Sequence, residues 1–405
     1  MKPTGLSKHL YWHRRPVTQG RIRNYLKGDV LYHGRPLTGN RIRKYLTKKP
    51  YGPLNRVFSI YWPTSAAICV TERCPLNCQY CAKNSVQLVD DMPYERFTEL
   101  LCRLSPMIPG INLIGLGEQL VHPRVVDIIK FTTLDMQKTL VLSTNGMVPL
   151  KGRLLDALMT CWHVQFSIDT IDEEKLHRIR TGARLSVIEE NLQRLLEAKQ
   201  QKIHEHTSKY PRAHPYVNIN CVITDETVGG IVDVIKFAEA QREGIDYVQF
   251  GSVTMDDYQK AFSRLAYKRN LHQRAVDEAL AYARKSRLNI VGLGSLLTLG
   301  DDWQNCTGPR WGIGIRPNGD VYGCCDLPDL KLGNVFEQDI IRAWNTRQAR
   351  ELRRRVYSTN PPTACHFCNF AKKSLRAAIH RVTLDLKPLE CWNDPAASCV
   401  DCNHI

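Results

Sequence analysis

The feature that most limits the fold of this chain is a regular alternation of strand-like and helix-like segments between residues 61 and 296. Apolar runs predict six strands, at 66–70, 111–116, 138–144, 163–168, 216–224 and 246–252. Segments with helical periodicity lie between them, for example at 96–104, 125–133, 154–161, 187–200 and 231–240. Repeated strand–helix units favour an α/β fold with a parallel sheet and right-handed crossovers. In barrels built this way, the chemistry lies at the carboxyl ends of the strands.

Three cysteines follow the first predicted strand in one short loop. Cys74, Cys78 and Cys81 are separated by three residues and then by two, so the loop can direct all three sulfurs at one point. Thiolates are the usual ligands of iron–sulfur clusters. Three thiolates hold a [4Fe–4S] cluster by three irons and leave the fourth iron open to a small molecule. This Cys-x3-Cys-x2-Cys pattern, with Tyr80 before the last Cys, resembles the signature of the radical S-adenosylmethionine (SAM) family.

The resemblance implies a partial (β/α)6 barrel and a reaction that begins with SAM. In the family, the amino acid end of SAM chelates the open iron, and one electron cleaves SAM to methionine and a 5′-deoxyadenosyl radical. The radical then abstracts a hydrogen atom from an unactivated C–H bond. Tyr80 is expected to pack near the adenine. Two alternatives for the cysteine loop are a structural zinc site with Cys69 as the fourth ligand and an oxidised scaffold.

The ends of the second and third predicted strands resemble SAM contacts of the family. Gly117 and Glu118 resemble the end of a Gly-Gly-Glu-Pro motif, in which backbone groups and the acid hold the methionine ammonium, although Gln119 replaces the Pro. Ser143 and Asn145 belong to a Ser-Thr-Asn-Gly segment whose hydroxyl and amide groups suit a ribose. Taken alone, each segment is also a common turn sequence. Their order on successive strand ends favours the SAM interpretation.

The later strand ends continue this series. Ser167 and Asp169 resemble the family's Ser-x-Asp, a contact to ribose or carboxylate, and a lone Ser-x-Asp is otherwise a common helix cap. Arg180 is placed like the family's Arg that pairs with the SAM carboxylate. Asn218 and Asn220 share one face of the fifth strand by two-residue alternation, and Asn220 is expected to contact ribose or substrate.

The remaining thiols of this region are expected to be structural. Cys102, Cys161 and Cys221 fall within helix or strand patterns, where core packing is the usual role of a free cysteine.

The composition changes after residue 296 and predicts a small, cysteine-rich α+β domain at 297–405. An Asn-Gly turn between two short apolar runs predicts a hairpin, and a helix is predicted at 340–356. Cys306, Cys324, Cys365 and Cys368 resemble the twitch domain, the shortened form of the SPASM domain. The resemblance implies that these four residues hold one auxiliary [4Fe–4S] cluster, with Cys325 as the alternative to Cys324.

The end of the chain leaves two interpretations open. Cys391, Cys399, Cys402 and His404 have spacings that suit a further metal site, either zinc or iron–sulfur. The other interpretation is a tail with spare thiols. Cys391 is also an alternative ligand of the auxiliary cluster.

Residues 1–60 form a basic extension that is expected to be helical. The chain has a formal net charge of +16, and residues 1–50 hold 13 Lys and Arg against the single acid Asp29. A 20-residue tandem repeat places short helices after Thr18 and Thr38. Arg, Lys and aromatic residues on one module suit a polyanion such as nucleic acid or an acidic peptide. The alternative is a solvated appendage.

The pattern of the 15 cysteines favours a reducing, cytoplasmic setting and an oxygen-sensitive protein, because most lie in clusters and no export signal is apparent. No apolar run reaches the length of a transmembrane helix. The resemblance implies an electron donor such as flavodoxin or ferredoxin, and an oxidoreductase, cross-linking or epimerase reaction. The basic repeat favours an acidic or polyanionic substrate, or a substrate bound through such a partner. A peptide-modifying enzyme and a non-catalytic iron–sulfur nucleic-acid-binding protein are the alternatives.

Overall fold

The computed structural model describes residues 65–104, 110–205, 215–252, 269–297 and 312–356, with short gaps inside some of these ranges, and a few positions elsewhere. The chain divides into two compact units, one formed by Met1–Val57 with Lys387–Ile405 and the other by Phe58–Leu386. The described part of the first unit is an antiparallel pair of two-residue strands, β1 (Leu31–Tyr32) and β2 (Arg35–Pro36). The helices predicted in the basic repeat lie outside the described residues. The predicted domain boundaries stay predictions.

The second unit contains the alternating strands and helices. Its strands are β3 (Ser65–Ile68), β4 (Asn77–Cys78), β5 (Gly110–Leu113), β6 (Thr139–Thr144), β7 (His163–Ser167), β8 (Arg180–Thr181), β9 (Tyr216–Ile223), β10 (Tyr247–Ser252), β11 (Asn289–Val291), β12 (Gly312–Ile315), β13 (Asp320–Tyr322) and β14 (Gly333–Asn334). Its α-helices are α1 (Tyr94–Leu104), α2 (Val125–Lys130), α3 (Gly152–Leu158), α4 (Glu173–Ile179), α5 (Leu185–Glu205), α6 (Ile231–Ala240), α7 (Arg269–Ala283), α8 (Ile340–Trp344) and α9 (Arg347–Val356). None of these helices is both long enough and apolar enough to span a bilayer.

One large sheet organises this unit and confirms the predicted α/β class. Its strand order is β11-β10-β9-β7-β6-β5-β3-β12-β13-β14, and every pair from β11 to β12 is parallel. The six predicted strands are all present as β3, β5, β6, β7, β9 and β10. The sheet runs from β11 at one edge to β14 at the other, which is a partial barrel. β11 was not predicted, because a three-residue strand carries too little periodicity to be recognised.

The hydrophobic core lies between the outer face of this sheet and the helices. Along β9, for example, Val217, Ile219, Cys221 and Ile223 are buried in it, while the intervening residues face the other way. Each such aliphatic side chain contributes roughly 1.5–3 kcal/mol on burial. This face fixes the register of the strands and so fixes which residues reach the inner face.

The C-terminal hairpin extends the sheet. β12 pairs in parallel with β3, and β13 and β14 follow in antiparallel order, which confirms the predicted hairpin. Gly319 has φ +84° in the hairpin turn, where a side chain would be strained. The single helix predicted at 340–356 is in fact two helices, each with its own N-terminal cap. Asp339 caps α8, and the Thr346 hydroxyl caps α9 by accepting a hydrogen bond from Ala349 N (3.2 Å).

A buried ion pair joins the hairpin to the segment that precedes the three cysteines. Arg316 donates through Nε to Glu72 Oε1 (2.7 Å) and through Nη2 to Glu72 Oε2 (2.8 Å), and Glu72 is fully buried. Arg316 also donates to the carbonyl of Gln87 (2.7 Å), and Val89 N donates to Glu72 (2.9 Å). The hairpin turn therefore helps to hold both ends of the cysteine loop.

Replacing Arg316 with Gln is expected to lower the free energy of unfolding by about 3 kcal/mol, because Glu72 would stay buried without its cation. The urea midpoint, followed by tryptophan fluorescence, measures the loss. Arg342→Gln is the matched control, since Arg342 is exposed and lies 3.7 Å from Asp339. Equal midpoints for the two variants would contradict the assigned role of Arg316.

Candidate active site

The loop that carries Cys74, Cys78 and Cys81 folds back onto the strand after α4. β4 pairs antiparallel with β8, which sets Cys78 opposite Arg180, and Gln79 N donates to Ile179 O (2.9 Å). Cys81 directly precedes a short 3-10 turn at Ala82–Ser85. Cys78 is buried, whereas Cys74 and Cys81 are half-buried. The backbone therefore fixes the three thiols at the end of β3, where the sequence predicts the site.

The base of this loop is clamped by side chains and backbone. Thr71 donates to Asp91 (2.6 Å), Arg73 Nε donates to the same carboxylate (3.1 Å), and Met92 N donates to Val70 O (2.8 Å). Together with the Glu72–Arg316 pair, these bonds join the strand that enters the loop to the chain that leaves it. A loop held this firmly presents its thiols in one arrangement.

Burial controls the ionisation of the thiols. Desolvation raises the pKa of Cys78 to about 11, although Arg180 acts to lower it, and desolvation also raises the pKa of Cys74. Without a metal these two thiols are protonated at neutral pH. Metal ions bind the thiolate, so loading the site releases protons and becomes more favourable as the pH rises.

The loops after β5 and β6 reach the cysteines. Asn145 directs its Nδ2 at Cys74 Sγ (3.5 Å), and its backbone N donates to Glu118 Oε2 (2.6 Å). Glu118 Oε1 accepts from Leu120 N (3.2 Å), while Glu118 N donates to Arg73 O (2.9 Å). The structure thus brings together Glu118, Asn145 and Cys74 from three separate strand ends.

Glycine at position 117 is needed for this convergence. A Cβ on Gly117 would clash with the carbonyl oxygen of Thr71 and lie 2.7 Å from that of Arg73. Only a residue without a side chain lets the β5 loop pass this close to the backbone ahead of Cys74.

Glu118 is a buried carboxyl group in an unusual setting. Burial raises its pKa to about 7, and the backbone N–H groups of Asn145 and Leu120 partly oppose that shift. Among the described residues, no cationic side chain forms an ion pair with it. A buried carboxylate of this kind suits a ligand that brings an N–H donor or a positive charge.

Gln119 links the same loop to the cysteine strand, a role that the sequence did not reveal. Its Oε1 accepts from Val70 N (2.7 Å), and its Nε2 donates to the carbonyls of Thr71 and Gly117 (both 3.1 Å). The only signal was its presence where the family motif has Pro. That departure replaces a rigid turn residue with three hydrogen bonds.

Asp169 and Arg180 bind each other. Arg180 donates through Nε to Asp169 Oδ2 (2.7 Å) and through Nη2 to Oδ1 (2.9 Å), and both residues are buried. Tyr80 donates its hydroxyl to the same carboxylate, as does Val222 N (2.8 Å). The pKa of Arg180 is raised well above its usual range by Asp169, against the effect of burial. The network connects the cysteine loop to β7 and β9.

The hydroxyl and amide residues of the middle strands lie on the inner face of the sheet. Ser143 donates to Gln165 Oε1 (2.7 Å), and Ser167 is opposite Asn220 across β7 and β9. All of them are half-buried. Cys221 faces the core instead, as expected for a structural thiol.

The zinc alternative required Cys69 as a fourth ligand. Cys69 is buried and donates its thiol to Thr71 O (3.2 Å), and burial raises its pKa to about 11. Within the described ranges, no three His, Cys, Asp or Glu side chains form a group that could hold a single metal ion.

The prediction that Cys102 packs in the core was wrong. Cys102 is exposed on α1, because its position falls on the polar side of that helix.

A family model for the radical SAM superfamily matches residues 68–211, the range that contains the cysteine loop and the convergent strand ends. The chain contains a radical SAM domain. A second model, for the SPASM iron–sulfur cluster-binding domain, matches residues 306–369. The chain therefore carries an iron–sulfur domain after its radical SAM domain, as the resemblance implied. These two domains imply [4Fe–4S] clusters and SAM as cofactors.

The curated relatives of this radical SAM chain match only parts of it. A probable GTP 3′,8-cyclase of Methanococcus aeolicus is 27% identical over 46% of this chain and 59% of its own length. The GTP 3′,8-cyclase of Chlorobaculum tepidum is 32% identical over 32% of this chain and 40% of its own length. The chain thus spans about half the length of the relatives it matches.

Solved structures show the same fold at low identity. SuiB of Streptococcus suis bound to S-adenosylmethionine has a TM-score of 0.58 at 16% identity, over 82% of this chain and 77% of that one. SuiB bound to its precursor peptide SuiA has a TM-score of 0.59 at 15% identity, over 95% and 87% of the two chains.

The residues of the radical SAM site fit the cofactors that the family implies. Three thiols share one clamped loop, and Gly117 keeps open a close backbone approach that a Cβ would fill. Glu118 supplies a buried acceptor that forms no ion pair with the side chains that the structure describes. Of the cysteines in the SPASM match, Cys324 is half-buried after β13, whereas Cys306, Cys325, Cys365 and Cys368 lie outside the described residues. Cys391, Cys399 and Cys402 at the end of the chain also lie outside them.

Proposed function

We propose that this protein is a radical SAM enzyme that reductively cleaves SAM and abstracts a hydrogen atom from an unactivated C–H bond of its substrate. The single observation that carries the proposal is the meeting of groups from three strand ends: the cysteine loop, the Asn145 amide at Cys74, and the buried carboxyl of Glu118, which forms no ion pair with the described residues. When bound, a reduced [4Fe–4S] cluster supplies the electron for that cleavage.

Each group of residues has a distinct task in the proposal. Cys74, Cys78 and Cys81 hold the cluster, and Glu118 accepts hydrogen bonds from the methionine amino group. Gly117 lets the backbone approach the methionine. Ser143, Asn145 and Ser167 provide the polar groups for the ribose, and Asn220 contacts the ribose or the substrate.

The Asp169–Arg180 pair is proposed to have two distinct roles, one structural and one in binding SAM. Its bidentate bond and its buried position support a role in holding the cysteine loop, since the Arg180 backbone pairs with Cys78. Contact with the SAM carboxylate or ribose requires the two side chains to share their hydrogen bonds with the ligand. Tyr80 lies against Arg180, with the guanidinium 5.6 Å from the ring centre, and the adenine is proposed to pack beside it.

The auxiliary [4Fe–4S] cluster is proposed to bind Cys306, Cys324, Cys365 and Cys368 and to exchange an electron with the substrate radical. Dehydrogenation and cross-linking follow when the cluster takes an electron from the substrate radical, whereas epimerisation requires an electron and a proton to be returned to that radical. Modification of a peptide is the alternative activity. Anaerobic reconstitution is expected to give about eight iron atoms per chain, four for each cluster. A further metal at Cys391, Cys399 and Cys402 would raise the count above that value.

The partners are proposed from charge and chemistry. A flavodoxin or ferredoxin would deliver the electron in the cytoplasm, and a polyanion would bind the basic residues 1–50. Binding of RNA, DNA and acidic peptides is to be measured across salt, with and without these residues. Affinity that falls steeply with salt and disappears on deletion supports the polyanion. Affinity that is flat in salt and unchanged by the deletion contradicts it.

The test of the proposed function is the anaerobic, reduced protein incubated with SAM. Formation of 5′-deoxyadenosine and methionine in equal amounts is expected. A fully loaded protein that never cleaves SAM would favour the non-catalytic iron–sulfur alternative, and zinc without iron would favour a zinc-bound nucleic-acid-binding protein.

SAM affinity is expected to rise with pH through Glu118. The pKa of this carboxyl is about 7, so at pH 6 about one molecule in ten carries the carboxylate that best accepts from the methionine amino group. The dissociation constant should therefore fall up to ~10-fold between pH 6 and pH 7.5. Equilibrium dialysis of labelled SAM against the loaded protein measures it. Glu118→Gln should bind more weakly with a flat profile, and an unchanged slope in that variant would contradict the role of Glu118.

A further inference from the structure

The inner face of the sheet carries rows of uncharged polar side chains. The register of the parallel strands places Ser143, Gln165, Asn218, Tyr247 and Asn289 side by side across β6, β7, β9, β10 and β11. The row above it, toward the carboxyl ends, contains Ser167, Asn220 and Gln249. We call Gln165, Asn218, Asn220 and Gln249 the carboxamide face. Their chain neighbours, such as Phe166 and Ile219, point outward into the core.

The carboxamide face has no formal charge nearby on the strands. On the inward-facing positions of β3, β5, β6, β7, β9, β10 and β11 as described, there is no Lys, Arg, Asp or Glu. Gln165, Asn220 and Gln249 are half-buried and so can still be reached. This neutrality stands out in a chain whose formal net charge is +16.

Asn218 gives independent support for a ligand at this face. It is fully buried, and neither Oδ1 nor Nδ2 has a hydrogen-bond partner among the residues that the structure describes. Leaving a buried amide unpaired is costly, so a protein rarely keeps one without a reason. Asn191 is the contrasting case: it is equally buried, but it donates to Gly146 O (2.8 Å) and accepts from Leu150 N (2.9 Å).

We propose that the carboxamide face binds an uncharged substrate group that offers both hydrogen-bond donors and acceptors, an amide or a set of hydroxyls. The proposal rests on the proposed radical SAM function and names the substrate class of that site. Carboxamides donate and accept at once, which matches such a group, whereas a triphosphate requires cations that this face lacks. The reacting part of the substrate is then neutral, even if residues 1–50 hold a polyanionic partner.

The first test is the stability of the cluster-loaded protein with Asn218→Leu and, as matched control, Asn191→Leu. If Asn218 is kept for a ligand, removing its unpaired amide raises the melting temperature, while Asn191→Leu lowers it because two bonds are lost. If Asn218→Leu lowered the melting temperature as much as Asn191→Leu does, the Asn218 amide would have a hydrogen-bond partner within the protein. That result would overturn the proposal.

The second test is binding of small probes to the loaded protein with SAM, followed by saturation-transfer NMR. N-methylacetamide is the amide probe, methyl α-glucopyranoside the hydroxyl probe, and GTP with Mg²⁺ the charged probe. At least one neutral probe should bind, with an affinity about fivefold lower in Gln165→Leu and in Asn218→Leu. The neutral probe that binds identifies the source of the polar groups.

Two outcomes would overturn the proposal: no binding by either neutral probe, or GTP binding that weakens in the same two variants. The 5′-deoxyadenosine assay on the same samples distinguishes failure of the substrate class from failure of the proposed function. Absence of SAM cleavage by wild-type protein counts against the proposed function, whereas the probe results decide the substrate class alone.

Discussion

Cys74→Ser is expected to abolish SAM cleavage and to remove about four iron atoms per chain, the content of one [4Fe–4S] cluster. The hydroxyl of Ser is a poor substitute for a thiolate, and the loop offers no replacement, because Cys69 is buried and hydrogen-bonded to Thr71. Iron and sulfide analysis with the 5′-deoxyadenosine assay measures both losses. Cys78→Ser and Cys81→Ser should behave in the same way.

The matched control is Cys102→Ser, which changes an exposed thiol on α1. Iron content and SAM cleavage should stay at the wild-type level in this variant. If Cys74→Ser retained both clusters, or if Cys102→Ser lost one, the assignment of the cluster to the loop would be wrong.

Asp169→Asn is expected to lower the free energy of unfolding by about 3–5 kcal/mol, because it leaves the Arg180 guanidinium buried without its counter-charge. Both side chains are almost inaccessible, so solvent cannot take over the lost interaction. The damage should spread to the cysteine loop, since Arg180 pairs with Cys78 through the backbone. Urea denaturation of the loaded protein measures the change in stability, and iron retention measures the effect on the loop.

Glu278→Gln is the control, because its partner Arg274 is 91% exposed and such pairs contribute little. The double variant Asp169→Asn with Arg180→Met should recover part of the lost stability, since it removes both charges together. A small effect of Asp169→Asn, comparable to the control, would mean that the pair does not hold the loop.

The local alternation of apolar and polar residues was sufficient to predict most strands of the barrel. The six predicted strands appear because their outward residues, such as Ile219 and Phe166, alternate with inward ones over four or more positions. The cysteine loop was recognisable because its spacing is short and local. In contrast, β11 is too short to show a period, and the parallel pairing of β12 with β3 joins segments more than 200 residues apart.

The sequence was sufficient to predict which residues belong to the site, but not which hydrogen bonds they form with each other. Glu118, Asn145 and the cysteines converge as the strand order implies. The Asp169–Arg180 pair was missed, because each residue suggested a ligand contact by motif and nothing in sequence reveals that two motif residues bind each other. In the sequence Gln119 is only a departure from the motif, whereas in the structure its side chain forms hydrogen bonds with Val70, Thr71 and Gly117. Tertiary hydrogen bonding of this kind has no sequence period.

The most direct measurement is the low-temperature EPR spectrum of the reduced protein, in the presence and absence of SAM labelled with ¹⁵N at its amino group. The Cys324→Ala variant is the sample of choice, since it is expected to lose the proposed auxiliary cluster and to leave the signal of the first cluster alone. SAM is expected to shift the g values, and pulsed EPR is expected to resolve a ¹⁵N coupling, because one iron has no protein ligand. A spectrum that SAM leaves unchanged, with no ¹⁵N coupling, would show that every iron is already held by the protein and would contradict the proposed catalyst.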